Sequence, residues 1–276
     1  MADKLINTLK KIKTDYENAI TSNGTDGVHS IIRSQSLINN IHEYAKKGLM
    51  KAGIDGKNIL PPINNSGPEL NVKGFLKKKK QDVVVLHPAL KNDKKNTTNV
   101  VDVGVLAGEE EEYQKHIIEK SLVINVRSQL SSMAKNFDTL MERQFAEPLN
   151  LHLRFPTLVM GEIYLMALVG YDPDKTENKE IGWYEKFPTK IIPLFRAINR
   201  RNMTDGDDYK YERNCLLLVD FRKDPPEVIS TAEELKQLGF ITDTKKYSMD
   251  GLGIYDFFDD IIEIYLNRHG KTKIFK

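Results

Sequence analysis

Asp82 heads the apolar run Gln81–Leu86 (QDVVVL), and Asn125, Arg127 and Gln129 lie on the run Leu122–Gln129 (LVINVRSQ). These are the residues whose types and spacing point to chemistry. A carboxylate at the mouth of a buried strand is a hard oxygen ligand of the kind Mg2+ takes, usually one or two of them with several waters retained. Taken alone, Asp82 reads first as a strand cap. Residues alternate across a strand, so Asn125, Arg127 and Gln129 share one face while Ile124, Val126 and Ser128 share the other. If the two strands are neighbours, the carboxylate and the polar face converge across one strand spacing. There a guanidinium clamps a phosphodiester, and the amides of Asn125 and Gln129 orient it. Three polar side chains on one inward face are costly to bury, which favours a site over a strand end bonded to its own loops.

The next residues along the chain extend this set. A helix is expected over about Leu130–Leu151, with Leu130, Met133, Ala134, Phe137 and Met141 as its buried side. Lys135 and Glu142, seven residues apart, then point the same way, with Ser131 and Asp138 on or near that side. A lysine near a bound phosphate stabilises developing charge or holds a water; the plainer reading is a solvated helix face. The run Lys77–Lys80, with Lys73, Arg33, Lys46 and Lys47, attracts a polyanion or is simply solvated. Tyr209, Tyr211 and Arg213 (DYKYER) form an aromatic–basic cluster that reads as a nucleic-acid contact or as a strand entering a half-exposed edge.

Other chemistries are missing from the sequence. The six histidines, His29, His42, His87, His116, His152 and His269, show no HxxxH-type spacing. There is no glycine-rich phosphate loop and no GxSxG elbow, and the one cysteine, Cys215, sits in an apolar run. A single cysteine excludes an internal disulfide and a thiolate zinc cluster, and fits a reducing cytoplasm.

The elements that must position these residues follow from patterning. Leu5, Leu9, Ile12, Tyr16 and Ala19/Ile20 form a helical stripe that the turn-rich Ser22–Gly27 is expected to end; a second helix covers about Ser34–Ala52. Leu70–Lys79 and Gln81–Leu86 read as a strand pair, and Lys91–Glu112 as an exposed loop or insertion. A long strand is expected at Thr157–Val169, a charged loop at Tyr171–Glu180, a helix at Ile191–Asn199 and a buried strand at Cys215–Phe221. Thr231–Leu238 opens on an N-cap threonine, and Phe257–Asn267 reads as an amphipathic helix. The order gives a mixed α/β class, a central sheet flanked by helices. With 276 residues, 40% hydrophobic, the chain can bury a substantial core. A net charge of +2 does not by itself point to nucleic acid. No run approaches a membrane span, and the charged N-terminus lacks the apolar core of a signal peptide, so a soluble cytoplasmic protein is expected.

QDVVV, then INVRSQLSSMAKNFDTLMERQFAEPLNLHLRFP, then YKYERNCLLLVDF resembles bacterial type II restriction endonucleases. The likeness runs from about Ser34 to Phe221, and the central segment is its most specific part. It implies a PD-(D/E)XK restriction-endonuclease-like core of helix, three strands, helix and fourth strand. That core spans about 34–169 within a single nuclease domain 1–276, whose helical N-terminal part covers about 1–60 and whose C-terminal α/β extension covers about 170–276. In the family pattern an acid opens the second strand, where Asp82 stands, and an acid-x-lysine pair sits on the third. Here the third strand has Asn125-Val126-Arg127, or Arg127-Ser128-Gln129 in a shifted register, so it departs from the pattern.

Family members relocate a missing acid or lysine to the following helix, which implies Glu142 and Lys135 as replacements. The resemblance also implies Glu43, on the first core helix, as a further metal ligand, with Glu69 another candidate. It therefore implies a Mg2+-dependent, sequence-specific endodeoxyribonuclease. Asp82, Asn125, Arg127, Gln129, Lys135 and Glu142 would be catalytic, and Asp82, Glu142 and Glu43 would hold the metal. Lys77, Lys78, Lys79, Ser128, Ser131, Tyr209, Tyr211 and Arg213 would contact double-stranded DNA. A homodimer and a cognate DNA methyltransferase acting on the same site complete the expectation. A nuclease fold that binds DNA without cutting it, and a nuclease acting on RNA or non-duplex DNA, are the alternatives.

Overall fold

The computed structural model describes residues 2–88, 99–204 and 206–276. A six-stranded mixed sheet forms its centre, in the order β1-β4-β7-β8-β11-β12. The strands are β1 (Ile59–Leu60), β4 (Val83–Val85), β7 (Leu122–Gln129), β8 (Val159–Ala167), β11 (Arg213–Asp220) and β12 (Glu227–Ile229). β1, β4 and β7 run antiparallel in turn, β7, β8 and β11 are parallel, and β12 returns antiparallel. Parallel pairs need a crossover; α4 (Phe137–His152) supplies the one between β7 and β8.

Alternation along these strands feeds two helical layers. Val83, Ile124, Val126, Val159, Ile163, Leu165, Cys215 and Leu217 pack under α1 (Ala2–Arg33), α2 (Ser36–Lys51) and α8 (Phe257–His269). On the opposite face Tyr164, Met166, Leu216 and Leu218 pack with Leu140 of α4 and Phe195 of α6 (Ile191–Ala197). A third buried cluster joins Val84, Val123 and Met160 to Leu151 of α4 and Phe155 just after it, and to Leu70 and Val72 of β2 (Leu70–Lys73). β2 pairs with β3 (Lys78–Gln81) as a hairpin beside the sheet. Gly161 lets the sheet lie close under α8, since a Cβ there would come within 2.5 Å of Ile261 Cδ1 and 2.8 Å of Phe257 Cζ.

Several expected boundaries move. α1 does not stop at Ser22–Gly27; it kinks at Gly24 (φ 56°, ψ −134°) and runs on to Arg33. Gly24 lies 2.8 Å, measured from an added Cβ, from the Thr176 carbonyl, so the kink is also a close packing contact. The helix expected from Leu130 begins at Phe137, after turns over 133–136. Its buried stripe therefore includes Leu140, Gln144, Glu147 and Leu151, while Met141 is exposed. The long strand expected at Thr157–Val169 is two, β8 and β9 (Val169–Tyr171), the latter paired with β10 (Trp183–Lys186). Tyr171–Glu180 holds the short helix α5 (Pro173–Glu177), capped by Asp172.

Within Lys91–Glu112, residues 91–98 lie outside the described residues. The rest contains a small hairpin of β5 (Asn99–Val100) and β6 (Glu110–Glu111). Arg154 clamps that hairpin to β2 through Glu111, Asp102 and the Lys73 carbonyl. The helix opening at Thr231 has the expected cap, with the Glu234 N–H donating to Thr231 Oγ1 at 3.2 Å and the Glu234 carboxylate accepting from the Thr231 N–H. Among the described residues no helix is long and apolar enough to cross a membrane.

Candidate active site

A row of polar residues crosses the sheet at one level. In the strand register Asn125 of β7 stands opposite Glu162 of β8, and Glu162 opposite Asn214 of β11. Val83 pairs with Ile124, which brings Asp82, one residue earlier, beside this row. Its Oδ2 accepts the Val126 N–H at 2.8 Å. Val83, Ile124, Val126, Ile163 and Cys215 adjoin these positions along the strands, so the row is a polar seam in a largely hydrophobic sheet.

α4 closes the seam from one side. Gln144 Nε2 donates to Glu162 Oε1 at 3.0 Å, and Asn125 Nδ2 donates to Glu147 Oε1 at 2.8 Å. Arg127 reaches both carboxylates, with Nε 2.9 Å from Glu162 Oε1 and Nη2 bonded to Glu147. Lys79, from β3, is also ion-paired to Glu147. Gln144 and Glu147 lie one turn apart on the buried stripe of α4, so one helix face delivers an amide to Glu162 and a carboxylate to Lys79, Arg127 and Asn125.

The electrostatics are unbalanced toward negative charge. Asp82, Glu147 and Glu162 face two permanent cations, Arg127 and Lys79. Burial pushes the fully enclosed Glu162 carboxyl up to about 7, against the opposing pull of Arg127 and Gln144. Burial likewise raises the Asp82 carboxyl, against His42, the Val126 N–H and Arg127. The His42 ring on α2 is pushed down by burial, with the Asp82 charge opposing. Buried atoms without a hydrogen-bond partner among the described residues gather here too: Glu162 Oε2, Asn125 Oδ1, Gln144 Oε1, both side-chain polar atoms of Asn214, His42 Nε2 and Tyr211 Oη. Such orphans are rare in folded proteins and call for an explanation, a ligand or water among them. The Glu162 oxygen and the raised Asp82 and Glu162 carboxyls are what a cation would satisfy, and Mg2+ needs only one or two such groups. Among the described residues no three or more His, Cys, Asp or Glu side chains form a closed metal cage.

The seam opens onto a groove. Three hollows, of about 240, 310 and 410 Å³, share Arg127 and Arg143. One is walled by Gln129, Asn136 and Gln144, one by Ile32, Gln35 and Ser128, and one by Lys77, Lys79 and Glu147.

The residues singled out from sequence divide accordingly. Asp82, Asn125 and Arg127 come together, and Lys79 joins them; Gln129 and Ser128 line the groove, and Lys77 its rim. Lys135 and Glu142 do not join: both are exposed, because the chain turns through 133–136 and α4 presents Gln144 and Glu147 inward instead. Glu43 is held by Lys46 (2.6 Å) and by the Asn64 N–H (2.9 Å), and it is His42 beside it that lies within the field of Asp82. Glu69 lies 3.6 Å from Lys80 in the hairpin region, and Lys78 is exposed. Ser131 is half-buried, its carbonyl accepting from Gln129 Nε2. Tyr209 stacks on Phe145 with ring centroids 4.4 Å apart. Tyr211 is fully buried, and Arg213 is buried in β11 with Nε 2.8 Å from Asp260, so neither lies on the surface.

Sequence reasoning missed Glu162, Glu147, Gln144, His42 and Arg143. Glu162 had a signal: it is the one charged residue in the apolar stretch Thr157–Val169. No protein-family model, curated protein or solved structure matches the chain.

Proposed function

We propose that the protein is a Mg2+-dependent endonuclease that hydrolyses phosphodiester bonds of double-stranded DNA at a short specific sequence, a type II restriction endonuclease with a PD-(D/E)XK core. The observation that carries this reading is that the buried carboxyls Asp82 and Glu162 lie beside Arg127, which reaches from Glu162 and the Lys79-paired Glu147 into a groove lined by Arg143, Lys77 and Lys79. The element order supports it: helix α2, three antiparallel strands β1, β4 and β7, helix α4, then the parallel strand β8. On this reading Glu162 takes the acid's part expected of Glu142, and Lys79 the lysine's part expected of Lys135.

Asp82 and Glu162 would hold the cation. Bound there, Mg2+ supplies Lewis-acid polarisation of a phosphoryl oxygen and a more acidic bound water. Arg127 and Lys79 stabilise negative charge on the phosphate oxygens, an effect that a water-poor site amplifies. Before nucleic acid arrives, Glu147 holds both cations, and Asn125 in turn holds Glu147. Gln144 keeps one Glu162 oxygen engaged and leaves the other for the metal. A palindromic target would match a two-fold dimer of this chain, with a methyltransferase protecting the same site.

A DNA-binding protein that does not cut is the second reading. It is favoured by Asn125 standing where the family has an acid and by Arg127 lying across both Glu147 and Glu162. Incubation of the purified protein with unmethylated phage DNA, with and without Mg2+, separates the two. Discrete Mg2+-dependent fragments, lost in Asp82→Asn while a mobility shift persists, are the expected result. A smear or cleavage of RNA assigns a nuclease of another substrate class. A salt-sensitive shift with no cleavage assigns the binding protein.

A further inference from the structure

Arg143 is a guanidinium of the groove that the described residues leave unpaired. It is exposed, lines all three hollows beside Arg127, and among the described residues has no hydrogen bond or ion pair, although Glu147 stands one turn away on its own helix. Glu147 is instead occupied by Lys79, Arg127 and Asn125. Arg127 is the reverse case. Its side chain is 24% exposed and reaches the groove, yet its nitrogens are spent on Glu162 and Glu147. A phosphate entering the groove meets one free guanidinium and one engaged with carboxylates.

Planar guanidinium groups bind phosphate oxygens through paired N–H donors, and two of them side by side make a strong seat for one diester. Drawing Arg127 toward that phosphate removes a donor from Glu162 Oε1 and a counter-charge from Glu147. Among the described residues Glu162 has no second cation bonded to it, its remaining partner is the neutral Gln144, and its Oε2 is already bare. Three carboxyls would then face Lys79 alone among the ion-paired cations, a deficit that a divalent cation fills.

We propose that Arg143 and Arg127 form a phosphate seat for nucleic acid, and that filling the seat withdraws Arg127 from Glu162 and Glu147, so that nucleic acid and a divalent cation bind cooperatively. The proposal rests on the nuclease reading above and deepens it by naming the phosphate contacts and the linkage between the two ligands. Linkage is reciprocal, so the cation tightens DNA binding by the same factor by which DNA tightens cation binding.

The test uses mobility shifts of phage DNA fragments at one fixed salt concentration, in EDTA and in Ca2+, together with calorimetric titration of Ca2+ into the protein alone. The wild-type protein is expected to bind DNA at least tenfold more tightly in Ca2+ than in EDTA. Arg143→Met is expected to weaken DNA binding by one common factor in both conditions and to leave Ca2+ affinity unchanged. Arg127→Met, whose carboxylates are already uncovered, is expected to bind Ca2+ about tenfold more tightly than wild type without DNA, with its Ca2+-to-EDTA ratio falling below threefold. Equal wild-type affinity in the two conditions overturns the coupling while leaving the nuclease reading in place, whether or not Arg127→Met folds. An unchanged DNA affinity in Arg143→Met overturns the seat. No shift of DNA in either condition removes the seat and the nuclease reading together.

Discussion

Glu162→Gln should make the protein more stable while removing its function. The carboxyl is fully enclosed, and burial moves it from 4.5 to about 7 despite Arg127 and Gln144. At about 1.4 kcal/mol per pH unit, that displacement corresponds to about 3 kcal/mol. The folded protein holds this proton more tightly than the unfolded chain. The stabilisation is therefore fully present below pH 4.5, declines as the pH rises, and is gone above about 7. Glutamine keeps an oxygen for Arg127 Nε and Gln144 Nε2 and never ionises. The variant should accordingly gain about 2–3 kcal/mol over wild type on going from pH 5 to pH 8, or roughly 5–10 °C in Tm at pH 8. Urea unfolding in EDTA at the two pH values measures the difference, and contributions common to both proteins cancel. Excess Mg2+ at pH 8 should then raise the Tm of wild type but not of the variant. A variant less stable than wild type at pH 8, or a stability gap independent of pH, would refute the reasoning, because Glu162 would then be a satisfied anion rather than one waiting for a partner.

Other outcomes follow from the same geometry. Glu142→Ala and Lys135→Ala, both exposed and outside the cluster, should leave cleavage of phage DNA within about twofold of wild type; loss of activity in either would return catalysis to the outer face of α4. Burial pushes Glu212 upward, but the His152 ring and the Arg268 and Arg201 guanidiniums more than offset this and bring it to about 2. Its stabilisation is present above pH 4.5 and lost as the pH falls through 2, so Glu212→Ala, which strands two arginines, should cost about 3–5 kcal/mol at pH 7 by urea unfolding. Cys215, buried and pushed up to about 12, should react with a thiol reagent only after addition of denaturant; rapid reaction of the native protein would contradict its place in the sheet. Gly48→Ala should lower Tm by several degrees, because the added Cβ meets the Phe258 ring at 2.5 Å.

The sheet was largely legible because its strands are short, nearly continuous apolar runs, the pattern of strands covered on both faces. β7 begins and ends where LVINVRSQ does, and Asp82 stands at the mouth of the next strand. The helix after β7 was misplaced because Leu130, Met133, Phe137 and Met141 do recur at helical spacing. Positive φ at Ser132 and turns through 136 break that stretch, and periodicity alone does not register such a break. With the helix phase wrong, the buried stripe was drawn through Met141 and the resemblance drew Glu142 into the site from the other face, whereas Gln144 and Glu147 are polar residues on the actual buried stripe. Glu162 was hidden for a different reason. A run as apolar as VMGEIYLMA reads as core, and its single acid gains meaning only when the register sets it opposite Asn125. Arg143 was illegible outright, because an exposed arginine on a helix becomes a candidate only when the cavities beside it are seen to share it.

Gly161 carries a consequence for how the chain avoids misassembly. β8 is apolar for its whole length except at Glu162, so hydrophobicity alone would tolerate several alignments against its neighbours. A slip of one residue would carry Glu162 to the opposite face, beneath α8. A slip of two would place Val159 or Ile163 where the α8 side chains Ile261 and Phe257 leave room for a hydrogen only. The residue beside the buried acid thus acts as an alignment mark, and every wrong alignment is penalised either by a stranded charge or by a steric clash. Errors in pairing this strand therefore yield molecules with no site at all, never molecules with a site of altered shape.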